Sequence, residues 1–191
     1  HPWYAHTQDD GWEDRLRSAL DSDANAIVGE TGLDRARLEE CPWEGQVHAF
    51  TTQLRLASEL KRPLVVHCVR ADGPMIDLLS EEASSGSLPP VVIMHAYGGS
   101  AETAASLLRL GERCGSKVFF GYSGRAARTK RAPSVIASLP ADRLLIESDE
   151  HTADAAREAL VEACGRVAEA RGWSEAETAE RTAENARVAF E

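Results

Sequence analysis

The sequence has few cysteines, no long hydrophobic run and no excess of basic residues. Its four cysteines are scattered without a CxxC pair, which indicates neither a zinc knuckle nor a disulfide framework. No apolar segment approaches the length of a membrane span. The net charge of −10, from 31 acidic and 21 basic side chains, disfavours nucleic-acid binding through a diffuse basic surface. We therefore expect a soluble intracellular protein, cytoplasmic or nuclear, with no membrane association.

The N-terminal segment also lacks features that a natural start would have. Residues 1–10 are polar, contain no apolar core of a signal peptide and do not begin with methionine. We expect the chain to begin inside a domain. Its 191 residues, 43% of them apolar, suit a single globular domain over residues 1–191.

Short aliphatic runs alternate with stretches of helical periodicity. We predict strands at 25–30, 63–67, 90–95, 117–122 and 143–148. Helices are predicted at about 10–20, 46–60, 72–83, 100–113 and 131–138, followed by a closing pair in which Ser174 and Glu177 form a capping box. Strands that are almost continuously apolar are typical of a parallel sheet covered on both faces. This α/β pattern fits a barrel and an open doubly wound sheet equally well.

Four of the five predicted strands lead up to a side chain that can bind a metal. These side chains are Glu30, His67, His95 and Asp149. The ends of parallel strands point to a shared face, where carboxylates and imidazoles suit zinc, manganese or magnesium. A lone histidine at a strand end is more often a hydrogen-bonded core residue, but four such residues together indicate a metal site.

Several segments resemble, in chain order, the signature sequences of the TatD family of metal-dependent deoxyribonucleases. The segments are His1–Trp3, Ile27–Asp34, Gln53–Ala57, Arg62–His67, His95–Ser100, Leu139–Asp149 and Thr182–Phe190. The resemblance extends over essentially the whole chain.

The resemblance implies a TIM (β/α)₈ barrel that hydrolyses phosphodiester bonds with one or two divalent metal ions, trimming DNA from the 3′ end. Glu30 would be the ligand shared between two metal positions, and His67 and His95 would complete one of them. Asp149 would bind the other metal and orient or deprotonate the attacking water, which makes Glu30 and Asp149 the catalytic residues. A metal-activated water needs no side-chain nucleophile, and the sequence contains no GxSxG motif.

Two departures separate this chain from the family pattern. The H-x-H pair of the family's first strand does not occur in the sequence, so we expect the N-terminal strands of the barrel to lie outside this chain. The segment Glu150–Asp154 replaces the usual Pro-Tyr-Leu and the later Asn-x-Pro, and this shortened version is similar to a divergent eukaryotic branch of the family.

Substrate contacts are predicted at four further residues: Arg70, Gly99, Ser100 and Arg125. Gly99 and Ser100 precede a helix, whose N-terminus can bind phosphate, although a tight turn with a helix cap is the favoured alternative. Arg125 belongs to a basic loop that either holds a DNA backbone or is simply solvated. Glu147 shares strand parity with Asp149 and would either support a metal ligand or contact a helix.

Two other functions remain open from the sequence. The missing H-x-H pair fits a non-catalytic interaction protein on the same scaffold, which would have a protein partner instead of DNA or another nucleic acid. Related barrels also hydrolyse other small substrates with similar ligands, and a fold does not fix a function. The sequence does not indicate an oligomeric state.

Overall fold

The computed structural model describes residues 1–86 and 88–190. The chain divides into two compact units. The first unit comprises His1–Ile93 and Arg109–Lys117, and the second comprises Met94–Leu108 and Val118–Glu191. A single domain over residues 1–191 stays a prediction.

Strands and helices alternate as the sequence predicts. The strands are β1 (Val28–Asp34), β2 (Leu64–Val69), β3 (Val91–Met94), β4 (Lys117–Tyr122) and β5 (Leu144–Ile146). The helices are α1 (Trp12–Ser22), α2 (Trp43–Glu59), α3 (Asp72–Ser84), α4 (Ala101–Cys114), α5 (Gly124–Ala127), α6 (Ala132–Ser138), α7 (Ala153–Arg171) and α8 (Glu175–Phe190). Short 3₁₀ helices lie at Pro2–Thr7, Arg35–Arg37 and Ala141–Arg143.

The five strands form one sheet in which neighbours follow the chain order, β1-β2-β3-β4-β5. Strands β1 and β2 are parallel, with Gly32 opposite His67. Strands β4 and β5 are also parallel, with Phe120 opposite Leu144. Parallel neighbours need a crossover connection, which the intervening helices supply. The predicted α/β class is confirmed.

In the first unit, helix α2 covers strand β1 with an apolar face. Phe50 and Leu54 of α2 are fully buried, and so is Leu33 of β1. Phe50 and Leu54 are four residues apart, which places them on one side of the helix. Full burial of such side chains stabilises the unit by roughly 1.5–3 kcal/mol each.

Two buried glutamines of α2 fix how this helix sits on β1. Gln46 accepts the backbone N–H of Asp34 at 2.7 Å and donates to the carbonyl oxygen of Asp34 at 3.1 Å. Gln53 donates to the hydroxyl of Thr31 at 2.8 Å. These amides lie at positions where helical periodicity leads one to expect apolar residues. Their pairing with β1 explains why polar groups are tolerated in this core.

In the second unit, helices α6, α7 and α8 surround β5 and its approach. Ile136 of α6, Val167 of α7 and Leu144 of β5 are fully buried. Asn185 of α8 donates to the carbonyl oxygens of Ala141 and Leu144, both at 2.8 Å. Asn185 therefore ties the last helix to the start of β5.

Helix ends in the second unit follow ordinary capping chemistry. Thr152 caps α7 through its hydroxyl, and Gly172 ends that helix with φ of +68°. Ser174 accepts the backbone N–H of Glu177 at 3.1 Å, which is one of the two hydrogen bonds of the predicted capping box.

The structure corrects the bounds of the first and last strands. The first was predicted to end at Glu30, but β1 runs to Asp34. Its pairing with β2 shifts between Val28 and Thr31, so Glu30 lies at an irregularity inside the strand. The last strand was predicted over 143–148, but β5 covers only Leu144–Ile146. Asp149, three residues beyond the end of β5, has φ of +56°.

Candidate functional site

The first unit brings two of the predicted ligands into contact. Glu30 lies in β1 and His67 in the neighbouring strand β2. Nδ1 of His67 is 2.8 Å from Oε1 of Glu30. Both side chains are partly shielded from solvent, with 13% of His67 and 28% of Glu30 exposed. The parallel pairing of the two strands produces this contact.

A third potential ligand, His1, was not predicted from the sequence. Its Nε2 lies 3.5 Å from Oε1 of Glu30, and its ring stands edge-on to that of His67 at 4.7 Å between centroids. The ligand atoms of His1, Glu30 and His67 all lie within 4.8 Å of one another. We call these three residues the first-unit cluster. In the sequence, His1 belongs to the His-Pro-Trp segment that resembles a family motif. That resemblance did not assign His1 as a metal ligand.

A buried carboxylate stands on the other side of the His67 ring. Oδ2 of Asp34 is 3.2 Å from Nε2 of His67, and Asp34 is only 2% exposed. Trp3 donates its indole N–H to the same oxygen at 2.7 Å, and the backbone N–H of Ala36 donates to Oδ1 at 2.8 Å. Asp34 was also missed from the sequence. It has the same strand parity as Glu30 in the Gly-Glu-Thr-Gly-Leu-Asp segment, which is the signal that could have found it.

The second unit brings the other two predicted ligands together. Nε2 of His95 is 3.5 Å from Oδ1 of Asp149. Nδ1 of His95 is 3.1 Å from Oε1 of Glu147. We call His95, Glu147 and Asp149 the second-unit cluster. The sequence allowed Glu147 either to support a metal ligand or to contact a helix. Its contact with His95, a candidate metal ligand, fits the first interpretation.

Glu147 is held in place from several sides. Its Oε1 accepts the backbone N–H of Ala96 at 2.6 Å, and its own backbone N–H donates to the carbonyl oxygen of Tyr122 at 3.2 Å. Gly121 leaves the space that the carboxylate occupies, because a Cβ at that position would lie 2.3 Å from Oε2 of Glu147. These contacts fix the position of the carboxylate.

The predicted substrate contacts lie at the ends of strands and at helix starts. Arg70 is exposed directly after β2, and Arg125 is exposed in α5. Ser100 accepts the backbone N–H of Thr103 at 3.1 Å, so it caps helix α4. A Cβ on Gly99 would lie 2.4 Å from the hydroxyl of Tyr97, which explains the glycine. Contact of these residues with a substrate stays a prediction.

Arg128, in the same basic loop as Arg125, is bound to a carboxylate of helix α7. Nε of Arg128 donates to Oε1 of Glu162 at 2.6 Å, and its NH2 group donates to Oε2. Arg166 donates to the same carboxylate at 2.8 Å. The loop is thus fastened to α7 through Arg128.

A thiol next to the first-unit cluster is unsuited to nucleophilic attack. Burial raises the pKa of Cys68 to about 12, with smaller contributions from the negative charges of Asp72 and Asp34. The thiolate is the reactive form of cysteine, and it is scarce at neutral pH when the pKa is this high. The absence of a sequence motif for a side-chain nucleophile agrees with this environment.

The donor atoms of the first-unit cluster fit a divalent cation. Two imidazole nitrogens and a carboxylate oxygen converge, and such mixed sets bind zinc and similar metals. Asp34 adds a second feature of metal sites, a carboxylate on the far nitrogen of a ligand histidine. The residues present therefore fit a metal ion.

Comparison with known proteins agrees with this chemistry. Residues 1–191 match the family described as TatD related DNase. The chain belongs to the TatD family. It is 36% identical over 153 residues to a protein named 3′-5′ ssDNA/RNA exonuclease TatD from Cronobacter sakazakii, an alignment that covers 78% of this chain and 54% of that protein. This chain thus spans about half the length of the first curated TatD relatives that it matches.

A second relative of this TatD chain carries a different description. The Cut9-interacting protein scn1 of Schizosaccharomyces pombe is 26% identical over 209 residues, covering 86% of this chain and 62% of the yeast protein. The TatD family therefore relates this chain both to a protein named as a nuclease and to one named for a protein interaction.

Solved structures confirm the fold. A TatD family hydrolase from Entamoeba histolytica superimposes with a TM-score of 0.81 at 18% identity, covering 100% of this chain and 72% of the other. The fold is therefore that of the TatD-type TIM barrel, as predicted. Within residues 1–86 and 88–190, no helix combines the length and apolar character that crossing a membrane requires.

Proposed function

We propose that this TatD chain is part of a metal-dependent hydrolase of phosphodiester bonds, acting as a 3′–5′ deoxyribonuclease. One or two divalent ions, magnesium, manganese or zinc, would be bound by Glu30, His67, His95 and Asp149. The convergence of the His1 and His67 nitrogens on one oxygen of Glu30, at 3.5 and 2.8 Å, carries the proposal. The relative named as an exonuclease supports the choice of substrate. An intracellular location stays a prediction.

The proximity of these groups argues for a cation between them. Each imidazole nitrogen offers either a lone pair or an N–H, whereas an ionised carboxylate offers only lone pairs. A cation at the first-unit cluster would face Nδ1 of His67, Nε2 of His1 and the Glu30 carboxylate, which are donors of the kind that zinc and manganese accept. The cluster is also only partly exposed, so its charges are screened less than on an open surface.

In the second unit, His95 has two carboxylate neighbours with different surroundings. Glu147 has 21% of its side chain exposed and is fixed by Ala96, whereas Asp149 is 39% exposed. The more accessible Asp149 suits contact with a metal or a water, and Glu147 suits orientation of the His95 ring. This division agrees with the catalytic role proposed for Asp149.

A bound divalent ion would lower the pKa of a coordinated water towards about 7 and offset the charge of a phosphate. The residues of the chain would hold and orient the reacting groups. Asp149 would accept a proton from the attacking water, and Glu30 would carry negative charge for cation binding. Arg70, Gly99, Ser100 and Arg125 are the residues proposed to contact the nucleic-acid substrate.

Calorimetric titration with Mn²⁺ and Zn²⁺ tests the metal site directly. We expect Glu30→Gln and His67→Gln to weaken binding by more than the roughly 10- to 100-fold that loss of an outer partner costs. His48→Gln is the matched control, because His48 also faces a carboxylate, Glu13 at 3.5 Å, but is 62% exposed. Equal metal affinity in Glu30→Gln and in the unmodified chain would overturn the site.

A nuclease assay tests the reaction and its polarity. The full-length protein should shorten a 5′-labelled single-stranded DNA stepwise from its 3′ end when divalent metal is present, and a phosphorothioate at the 3′ end should block the products. Glu30→Gln and Asp149→Asn should abolish cleavage while changing the free energy of unfolding by less than about 1 kcal/mol. Cleavage by Glu30→Gln at the rate of the unmodified chain would contradict the proposal.

A non-catalytic interaction protein is the second candidate function. The likeness to the Cut9-interacting protein scn1 favours it. Under this alternative, neither Mn²⁺ nor Zn²⁺ would bind to the chain at physiological concentrations. A measured affinity that depends on Glu30 and His67 favours the hydrolase over this alternative.

A further inference from the structure

The imidazole of His67 lies between two carboxylates. Its Nδ1 is 2.8 Å from Glu30 and its Nε2 is 3.2 Å from Asp34. A neutral imidazole has one N–H and one lone pair, so it can donate to only one of these neighbours. The carboxylate that receives the N–H determines which nitrogen is left to bind a cation.

Asp34 has the greater need for this hydrogen bond. It is only 2% exposed, whereas the side chain of Glu30 is 28% exposed and in contact with solvent. A carboxylate has about four lone-pair sites, which only protein donors can satisfy when it is buried, while an accessible carboxylate can be solvated by water. Donation from Nε2 of His67 to Asp34 therefore gives the lower free energy.

The carboxylate of Asp34 is also held in place, so it cannot move together with the imidazole of His67. Trp3 and the backbone of Ala36 donate to its two oxygens, at 2.7 and 2.8 Å. Its backbone is bonded in both directions to the side chain of Gln46. The carboxylate is thus aimed at Nε2 of His67 by contacts independent of any metal.

We propose that Asp34 is a positioning residue that accepts the Nε2–H of His67 and leaves Nδ1 as the nitrogen that binds a divalent cation beside Glu30. The inference rests on the proposed metal-dependent function and adds to it the tautomer of one ligand. A carboxylate behind a ligand histidine fixes the ring and raises the basicity of the binding nitrogen. Asp34 would act through its contact with the ring of His67.

The tautomer can be measured in the metal-free chain. Two-bond ¹H–¹⁵N correlation spectra of chain labelled with ¹⁵N-histidine identify Nε2, because both ring C–H protons correlate strongly with it. The spectra are recorded at alkaline pH, where imidazoles are neutral, and His67 is assigned by the signals lost in His67→Gln. We expect the ¹⁵N shift of Nε2 in His67 to be that of a protonated nitrogen.

Substitution of Asp34 should change this state. In Asp34→Asn, the amide N–H₂ group faces either Nε2 of His67 and Trp3 or the N–H of Ala36, and the first orientation reverses the preference for Nε2–H. Trp3→Phe is the matched control, since it removes another donor to the same oxygen and should leave the tautomer of His67 unchanged. In the double variant Trp3→Phe with Asp34→Asn, the amide N–H₂ group no longer faces the indole N–H of Trp3. This variant is measured if Asp34→Asn does not fold.

Metal titration separates this inference from the function on which it rests. We expect Asp34→Asn to bind Mn²⁺ and Zn²⁺ about 10- to 100-fold more weakly than the unmodified chain, and Trp3→Phe to bind them equally well. A protonated Nδ1 in the unmodified chain, or an unchanged tautomer in both Asp34 variants, would overturn the role of Asp34. A protonated Nε2 that depends on Asp34, in a chain that binds no metal, would support that role and overturn the metal-dependent function.

Discussion

The carboxylate of Glu147 lies 3.1 Å from Nδ1 of His95, on the opposite side of the ring from Asp149. The same arrangement occurs around His67, where Asp34 and Glu30 flank the ring. In each unit, one carboxylate is fixed by a backbone N–H and the other is more exposed. The fixed carboxylate can orient the ring, which leaves the outer nitrogen for a cation.

Gly121→Ala tests whether Glu147 orients His95. The added methyl group would lie 2.3 Å from Oε2 of Glu147, so the carboxylate would have to move away. We expect metal affinity, measured by calorimetry, to fall about tenfold or more, as it should in Glu147→Gln. Gly98→Ala is the control, because nothing lies within 4 Å of a Cβ at that position. An unchanged affinity in both Gly121→Ala and Glu147→Gln would show that Glu147 does not support the ligand.

Gly32→Ala should destabilise the first unit severely. Gly32 has φ of +151°, and a Cβ there would lie 1.9 Å from the carbonyl oxygen of His67. We expect a loss of about 3 kcal/mol or more in the free energy of unfolding, measured by urea denaturation. The close approach of β1 to β2 at this position is what brings Glu30 within reach of His67.

Gly73→Ala is the control, since a Cβ at that position meets no clash. Gly73 lies in helix α3, where nothing is within 4 Å of an added Cβ. Alanine should change the free energy of unfolding by less than about 1 kcal/mol, because its helix propensity is opposed by the restriction that Pro74 places on the residue before it. If both glycine variants had the same stability, the clash at Gly32 would be refuted.

The alternation of strands and helices could be predicted because it depends on local periodicity. Strand β4 has the predicted bounds of 117–122, and helix α3 differs from its prediction by one residue. The buried Gln46 and Gln53 could not be predicted from periodicity, because they act through partners on β1 that are distant in sequence. Polar groups in a core are determined by pairing in three dimensions, which a helical pattern does not contain.

Four of the candidate ligands could be proposed from the sequence, whereas His1 and the supporting carboxylate of Asp34 could not. Glu30, His67, His95 and Asp149 each follow or end an aliphatic run, which is a local signal. The role of Asp34 depends on strand register, since β1 continues past Glu30 and pairs with β2 around His67. Likewise, the space for Glu147 depends on Gly121 in another strand.

Two tyrosines of the second unit should respond oppositely to loss of their hydroxyl groups. The hydroxyl of Tyr122 is buried and has no hydrogen-bond partner among the residues that the structure describes, and this burial raises its pKa. Tyr122→Phe should therefore raise the free energy of unfolding by about 1 kcal/mol.

Tyr97→Phe is the matched variant. The Tyr97 hydroxyl donates to the carbonyl oxygen of Ser100 at 2.8 Å, so its removal should cost about 1 kcal/mol. Thermal and urea unfolding of both variants measure the difference. A loss of stability in Tyr122→Phe as large as that in Tyr97→Phe would contradict the assignment of Tyr122 as unpaired.

The stability that Glu162 contributes should depend on pH. Hydrogen bonds from Arg128, and then from Arg166, lower the pKa of Glu162 to about 2 from its usual 4.5. A lowered pKa in the folded state stabilises the protein above pH 4.5, and this contribution is lost as the pH falls through about 2. Glu162→Gln should therefore be less stable than the unmodified chain at pH 7, and the difference should shrink between pH 4.5 and 2.

Arg128→Gln should reproduce this pH profile of stability more closely than Arg166→Gln. Added salt should reduce the effect, because the groups are near solvent. Urea unfolding across this range measures the effect, and a difference that stays constant with pH would exclude the ion pair as its cause.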